Sequence, residues 1–210
     1  MTVAVTIVGA LAEAAAWIAV VVRKANLWVV MAPVLLAIGL AALATGEPSL
    51  AGRTSAGLAA IVGAASGAAL YLATRAFVWV VRGWRAFVAQ SARLYLRRGS
   101  LSVPVTLVLA AVLAVGEEVF WRGLVAPRLT RAIDDRTLGA AAAYGAFVLA
   151  NVPSANLAIL ASALVGGAVW SVLAWWTGGA LASALSHVLW TSLMITFPVV
   201  PAADPEVVGR

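Results

Sequence analysis

The feature that most constrains this chain is its series of apolar segments long enough to cross a bilayer. VAVTIVGALAEAAAWIAVVV (Val3–Val22) is the first, and comparable runs recur to within a few residues of the C-terminus. A spanning helix takes about 20 such residues, and in hydrocarbon only helices and closed barrels satisfy their own backbone groups. Hydrophobic residues make up 64% of the 210 and charged residues 10%, where a soluble domain carries roughly a quarter charged. The expected fold is therefore all-α, a polytopic transmembrane bundle in an integral membrane protein, with no room for a separate soluble domain. The absence of cysteine removes disulfides and thiolate metal sites. The net charge of +6 reads as the positive-inside bias of a membrane protein, and no nucleic-acid partner is expected.

About seven helices fit the spanning length, near 3–22, 26–46, 56–76, 101–128, 138–153, 156–176 and 178–199. Arg23 and Lys24 follow the first segment and nothing basic precedes it; a signal peptide has the opposite order, so a true first helix is expected. GEPSLAGRT (46–54) is a turn-rich connector. Gly63 and Gly67 form a GxxxG, a spacing that favours close helix packing. From Arg75 to Arg98, arginines at 75, 82, 85, 93, 97 and 98 interleave with Phe77, Trp79, Trp84, Phe87, Leu94 and Leu96. This reads as a helix in the headgroup region before the fourth span, its arginines on anionic lipid; the plainer reading is a solvated basic connector. Either way the loops after the first and third helices are the basic ones, which puts the N-terminus outside and the C-terminus inside. TRAIDDRT (130–137), of mixed charge, then lies outside. The domain reading is 1–100 for the N-terminal helices and basic segment, 101–199 for a helical core, and 200–210 for a short polar tail.

Against this background, ionisable residues inside spans are functional candidates by default. Glu118 and Arg122 in GEEVFWRG (116–123) are four apart on one helix face, with the acid N-terminal to the base, the favourable order for an ion pair. Glu117 is turned by about 100° from Glu118 and shares that arginine less well. The spacing suggests one structural carboxylate and one free to act as a base; the alternative is that all three mark a wet helix end. His187, the lone histidine, shares a face with Thr191 inside another apolar run, where a structural hydrogen bond is the ordinary role. Asn151 precedes Val152-Pro153, a position suited to ending a helix. Glu13 matches no motif; a structural partner is expected, Arg75 or another arginine of the bundle, or else an aqueous vestibule.

Taken together, these segments resemble the CAAX-protease and bacteriocin-processing family of intramembrane endopeptidases, also called Abi proteins. Glu117-Glu118-Val-Phe-Trp-Arg122 matches the family's EExxxR; Phe147-Val-Leu-Ala-Asn151 stands where it has FxxxH; His187-Val-Leu-Trp-Thr191 stands where it has HxxxN or HxxxD. The resemblance covers roughly residues 101–195. It implies Glu117 as the base that activates water, Glu118 and Arg122 as its supporting pair, and His187 as an oxyanion or water-orienting donor. It implies a membrane-associated peptide or protein substrate and no cofactor. With one histidine and no cysteine, the usual three-ligand zinc site is hard to assemble, and no metal is expected.

Asn151 and Thr191 depart from the pattern. An amide and a hydroxyl can still donate hydrogen bonds, but neither titrates near neutrality. Two readings follow: a metal-independent endopeptidase impaired by these replacements, or a catalytically inactive relative serving as a membrane scaffold or chaperone. A proton-coupled carrier is a third, motivated by Glu13 and Glu117, though the internal repeats common in carriers are missing. The richness in alanine, valine and arginine suggests a bacterial cytoplasmic membrane.

Overall fold

In the computed structural model, residues 2–96 and 101–200 are described. They form eight helices and, among the described residues, no strand. The helices are α1 (Thr2–Val22), α2 (Leu27–Ala44), α3 (Ala56–Val80), α4 (Arg85–Leu96), α5 (Val103–Ile133), α6 (Arg136–Asn151), α7 (Leu157–Thr177) and α8 (Leu181–Thr196). The all-α bundle expected from the sequence is what forms. Five helices, α1, α2, α3, α5 and α7, are long and apolar enough to cross a membrane. The other two expected spans, α6 and α8, are shorter at 16 residues each. The α6 start is fixed by Asp135, whose carboxylate caps the Thr137 and Leu138 amides, and α8 begins only after the Gly178-Gly179 turn.

Lipid-facing surface and packed interior separate cleanly on α1: Val3, Ile7, Val8, Leu11 and Ile18 are exposed, whereas Glu13, Ala16, Trp17 and Val20 are buried. At the centre lies α5. Its residues Val119–Val125 are all buried and form a π-helical turn within the helix. Seven consecutive buried residues mean that this stretch is surrounded by other helices on every side. Such π-turns interrupt α-helices most often at functional sites.

Glycines set how closely its neighbours approach. A Cβ on Gly39 of α2 would lie 2.7 Å from the Gly116 Cα of α5, and one on Gly116 would strike the Leu35 carbonyl. On α3 the GxxxG pair packs directly on α8, where a Cβ at Gly63 would sit 2.5 Å from the Ala182 oxygen and one at Gly67 2.6 Å from the Ser186 oxygen. Close packing at this motif is as the sequence suggested.

The 46–54 connector is pinned to the bundle end. Ser49 N donates to Gly123 O, Arg53 N to Thr177 O, and Ala180 N to Ser49 O.

The basic segment differs from its expected form. Instead of one interfacial helix, α3 continues through Arg75, Phe77 and Trp79 to Val80, a turn follows, and α4 begins at Arg85. Phe87 of α4 meets Phe77 edge-on at 5.5 Å and stacks against Trp84 at 5.7 Å. This aromatic cluster ties the start of α4 to the end of α3. Arg97, Arg98 and the tail from residue 201 lie outside the described residues.

Candidate functional site: a buried carboxylate cluster on the central helix

Two neighbouring carboxyl groups of α5 enter different surroundings. Glu118 is fully buried, and its Oε1 accepts from Arg122 Nη1 at 3.2 Å and faces His187 Nδ1 at 3.1 Å. Despite the π-turn that begins after Glu118, the expected pair with Arg122 forms. Arg122 in turn donates from Nη2 to Gly167 O at 3.0 Å, and its guanidinium lies 4.3 Å from the centre of the Phe147 ring. The charge-assisted bonds and the aromatic face together replace the water this guanidinium gives up on burial.

His187 is clamped as well. Its ring stacks on Trp170 with centroids 3.6 Å apart and planes 16° from parallel. A carboxylate paired with arginine is an acceptor, so Nδ1 of His187 is the donor in this contact; when the ring is neutral, Nε2 is left as an acceptor. Thr191, one turn along α8, has a buried Oγ1 without a hydrogen-bond partner among the described residues.

Glu117, also buried, turns the other way. Its Oε2 is 3.8 Å from His187 Nδ1, too long for a hydrogen bond. Its other ionisable neighbour is Glu13 of α1. Glu13 has no exposed surface. Trp121 Nε1 donates to its Oε2 at 2.8 Å and Asn151 Nδ2 to its Oε1 at 3.1 Å. The expectation of an arginine partner or an aqueous vestibule for Glu13 is thus replaced by an indole and an amide. Arg75 instead donates to the Tyr71 hydroxyl near the bundle end.

Asn151 likewise departs from its expected roles. Its Oδ1 accepts from Trp17 Nε1 at 3.0 Å, and Nδ2 donates both to Glu13 and to Phe147 O. Both amide hydrogens are committed, so the side chain neither caps the helix end nor holds a free donor. Helix α6 runs on into a 3₁₀ turn at Val152–Ser154.

Glu117 and His187 therefore converge directly, while Asn151 reaches the cluster only through Glu13. Sequence reasoning missed the part played by Glu13. Its i,i+4 spacing to Trp17 puts both on one helix face but does not name Asn151 as the residue that face meets.

A cavity of about 160 Å³ adjoins the cluster on the side of the 46–54 connector, lined by Trp121, Arg122, Thr130, Arg136, Ser171 and Trp175 among others. Trp121 and Arg122 thus separate the cavity from the two carboxyl groups they bond.

Residues 92–193 match the family model described as Rce1-like, type II CAAX prenyl endopeptidase Rce1-like. No curated protein and no solved structure matches the chain. The matched span takes in Glu117, Glu118, Arg122, Asn151, His187 and Thr191, and leaves out α1 with Glu13 and Trp17. By its helices and this match, the protein is an integral membrane protein whose residues 92–193 belong to the CAAX-protease family of intramembrane endopeptidases.

Proposed function

We propose that the protein is a metal-independent intramembrane endopeptidase in which Glu117 activates the attacking water. The observation that carries this reading is the placement of Glu117: a buried carboxyl on the central helix, 3.8 Å from an imidazole that Glu118 and Trp170 hold in place. In this mechanism the Glu117 carboxylate takes a proton from water as the water oxygen attacks the peptide carbonyl carbon. The carbonyl π bond becomes an oxyanion. Collapse of the intermediate breaks the C–N bond, and the proton held by Glu117 passes to the departing nitrogen.

His187 orients the water by accepting its second hydrogen at Nε2. The unpartnered Thr191 hydroxyl, on the same helix face, is the side-chain donor left for the oxyanion. Glu118 and Arg122 do no proton transfer; they fix the imidazole.

The substrate is a peptide or protein segment delivered within or at the membrane, and the family description makes a prenylated C-terminus one candidate class. Basic residues gather at one end of the bundle, including Arg23, Lys24, Arg82, Arg85 and Arg93. That end is assigned to the cytoplasm and to contact with anionic headgroups in a bacterial membrane.

A second reading, an inactive membrane scaffold for protein partners, is favoured by one observation: Asn151 has no donor free for substrate. The two are separated with purified protein in vesicles and two quenched-fluorescent peptides, one a transmembrane helix and one prenylated at a C-terminal Cys-aliphatic-aliphatic-X. Wild type is expected to cleave at least one of them, and Glu117→Gln neither. Equal rates for the two proteins would rule out Glu117 as the base, and no cleavage of either peptide by wild type would favour the scaffold.

A further inference from the structure

The cavity beside the cluster has no part in the reaction as drawn. Its only charged lining side chains among the described residues are two arginines, Arg122 and Arg136, and no acid stands between them. Arg122 is 3% exposed. It spends three of its five N–H groups, on Glu118, Gly167 O and Ser171 Oγ, and the other two have no partner among the described residues. Arg136, the half-buried first residue of α6, holds its guanidinium 4.9 Å from the centre of the Trp175 ring. Its Nη2 is buried and has no hydrogen-bond partner among the described residues. A buried N–H left unpaired is costly, and more so on a charged group.

The carboxylates of this region do not answer those donors. Glu118 takes a single Arg122 N–H, Asp135 caps the α6 amides, and Glu47 is held by Thr2 and Arg131. Asp134 is exposed to solvent. The arginines therefore call for an anion from outside the chain.

Position and size say which kind. Ser49 of the connector, Gly178 of the turn and Arg136 form the rim, so the cavity opens at the end of the bundle. Arg53 packs against Gly178 and donates to Trp176 O, which brings a third guanidinium beside the rim. Trp175 and Trp176 are partly exposed there, as aromatic side chains are at the headgroup level. Between the lining residues Arg136 and Ala143, α6 descends about 10 Å into the bundle. The volume of about 160 Å³ is that of a cavity holding one benzene-sized molecule. It admits a phosphate with a few attached atoms and excludes a stretch of peptide. Guanidinium forks suit phosphate oxygens, and a phosphate has enough of them to serve two arginines at once.

We propose that this cavity is a phosphate-binding site, with Arg136 at the rim and Arg122 at the floor holding a phosphate group drawn from a lipid headgroup or from solution. The hydroxyls of Thr130 and Ser171 are further donors on its wall. The site lies at the end of the bundle opposite Arg82, Arg85 and Arg93, so it is distinct from the basic surface there. It stands whether or not Glu117 is the base.

Thermal unfolding of the whole protein in a sugar-based detergent tests this. Inorganic phosphate is titrated at constant ionic strength against chloride and acetate, and in a second arm phosphatidylglycerol against diacylglycerol of the same chains. At least one phosphate source should raise the melting temperature saturably, and chloride, acetate and diacylglycerol should not. A response to phosphatidylglycerol alone assigns the site to a headgroup, and a response to inorganic phosphate assigns it to the phosphate group as such. Arg136→Gln leaves Glu117, His187 and Arg122 in place and should raise the half-saturating concentration about tenfold or more, the scale of one charge-assisted hydrogen bond. Ala140→Leu keeps both arginines, fills the cavity from α6 and should abolish the response; it decides the matter should Arg136→Gln not fold. No response to either phosphate source would overturn the proposal. So would an equal response to acetate, the mark of a site for carboxylates such as a peptide terminus, or a folded variant of either kind that responds like wild type.

Discussion

The two flanks of α5 hold consecutive glutamates by opposite means. On the α7–α8 side, Glu118 meets Arg122 and His187, its charge is compensated, and its partners are held by Gly167, Phe147 and Trp170. On the α1–α6 side, Glu117 neighbours Glu13, which the neutral donors Trp121 and Asn151 hold, Trp17 holding Asn151 in turn. The first flank is an ion network and the second a pair of neighbouring carboxyl groups without a bonded cation. The contrast teaches a division of labour. A carboxylate neutralised by arginine is a poor base but a good anchor, and one with no cation bonded to it keeps its lone pairs available.

The sharpest way to break this comparison is to remove each glutamate in turn. Glu117→Gln should lower the cleavage rate by on the order of 10²–10⁴-fold, the range for a general base, with little loss of thermal stability. Glu118→Ala should do the reverse first, stranding Arg122 in the interior at about 3–5 kcal/mol, read as a large drop in melting temperature. Equal stability losses for the two variants would erase the distinction between anchor and base.

A smaller effect is expected where α3 supports the His187 flank. Gly67→Ala places a methyl 2.6 Å from the Ser186 oxygen, beside His187. It should cost about 1–3 kcal/mol by overpacking and slow cleavage as α8 shifts. Gly57→Ala, with open space around its Cβ, should leave both unchanged and serves as the control.

On the other flank, Trp17→Phe removes one bond to Asn151. It should destabilise by about 1–3 kcal/mol, the cost of an unsatisfied buried acceptor, and slow cleavage without touching Glu117.

The smallest effect belongs to the bundle end. The Thr2 hydroxyl, and then Arg131, hold the Glu47 carboxyl below the usual carboxylate range. A depressed folded pKa adds stability that is complete above the unfolded value of about 4.3 and fades as pH falls through the folded value. For so exposed a group the contribution is slight, so Glu47→Gln should barely change the melting temperature at pH 7 and not at all at strongly acidic pH.

How much of this was legible in the sequence differs between the flanks for a physical reason. The Glu118–Arg122 pair is local, set by four residues on one helix, and helical periodicity alone predicts it. The bundle class also leaves a local mark, in apolar run lengths, whereas the break before α4 falls inside the arginine-rich stretch that reads as one helix. Glu13, Trp17 and Asn151 meet across more than 130 residues, and no local spacing encodes that meeting. Asn151 read as a helix end because Val152-Pro153 follows it, yet its side chain was claimed by α1. The π-turn at Val119–Val125 was also out of reach, since its residues would suit an ordinary helix equally well; the packing around α5 decides between them.

The central claim is that Glu117 delivers water to a peptide bond inside the membrane. Mass spectrometry of the cleaved vesicle-bound peptide, with the reaction run in ¹⁸O-labelled water, tests it most directly. Wild type should yield one cut whose new carboxylate carries a single ¹⁸O, and folded Glu117→Gln should yield essentially none. Labelled product formed at the same rate by both proteins would contradict the account.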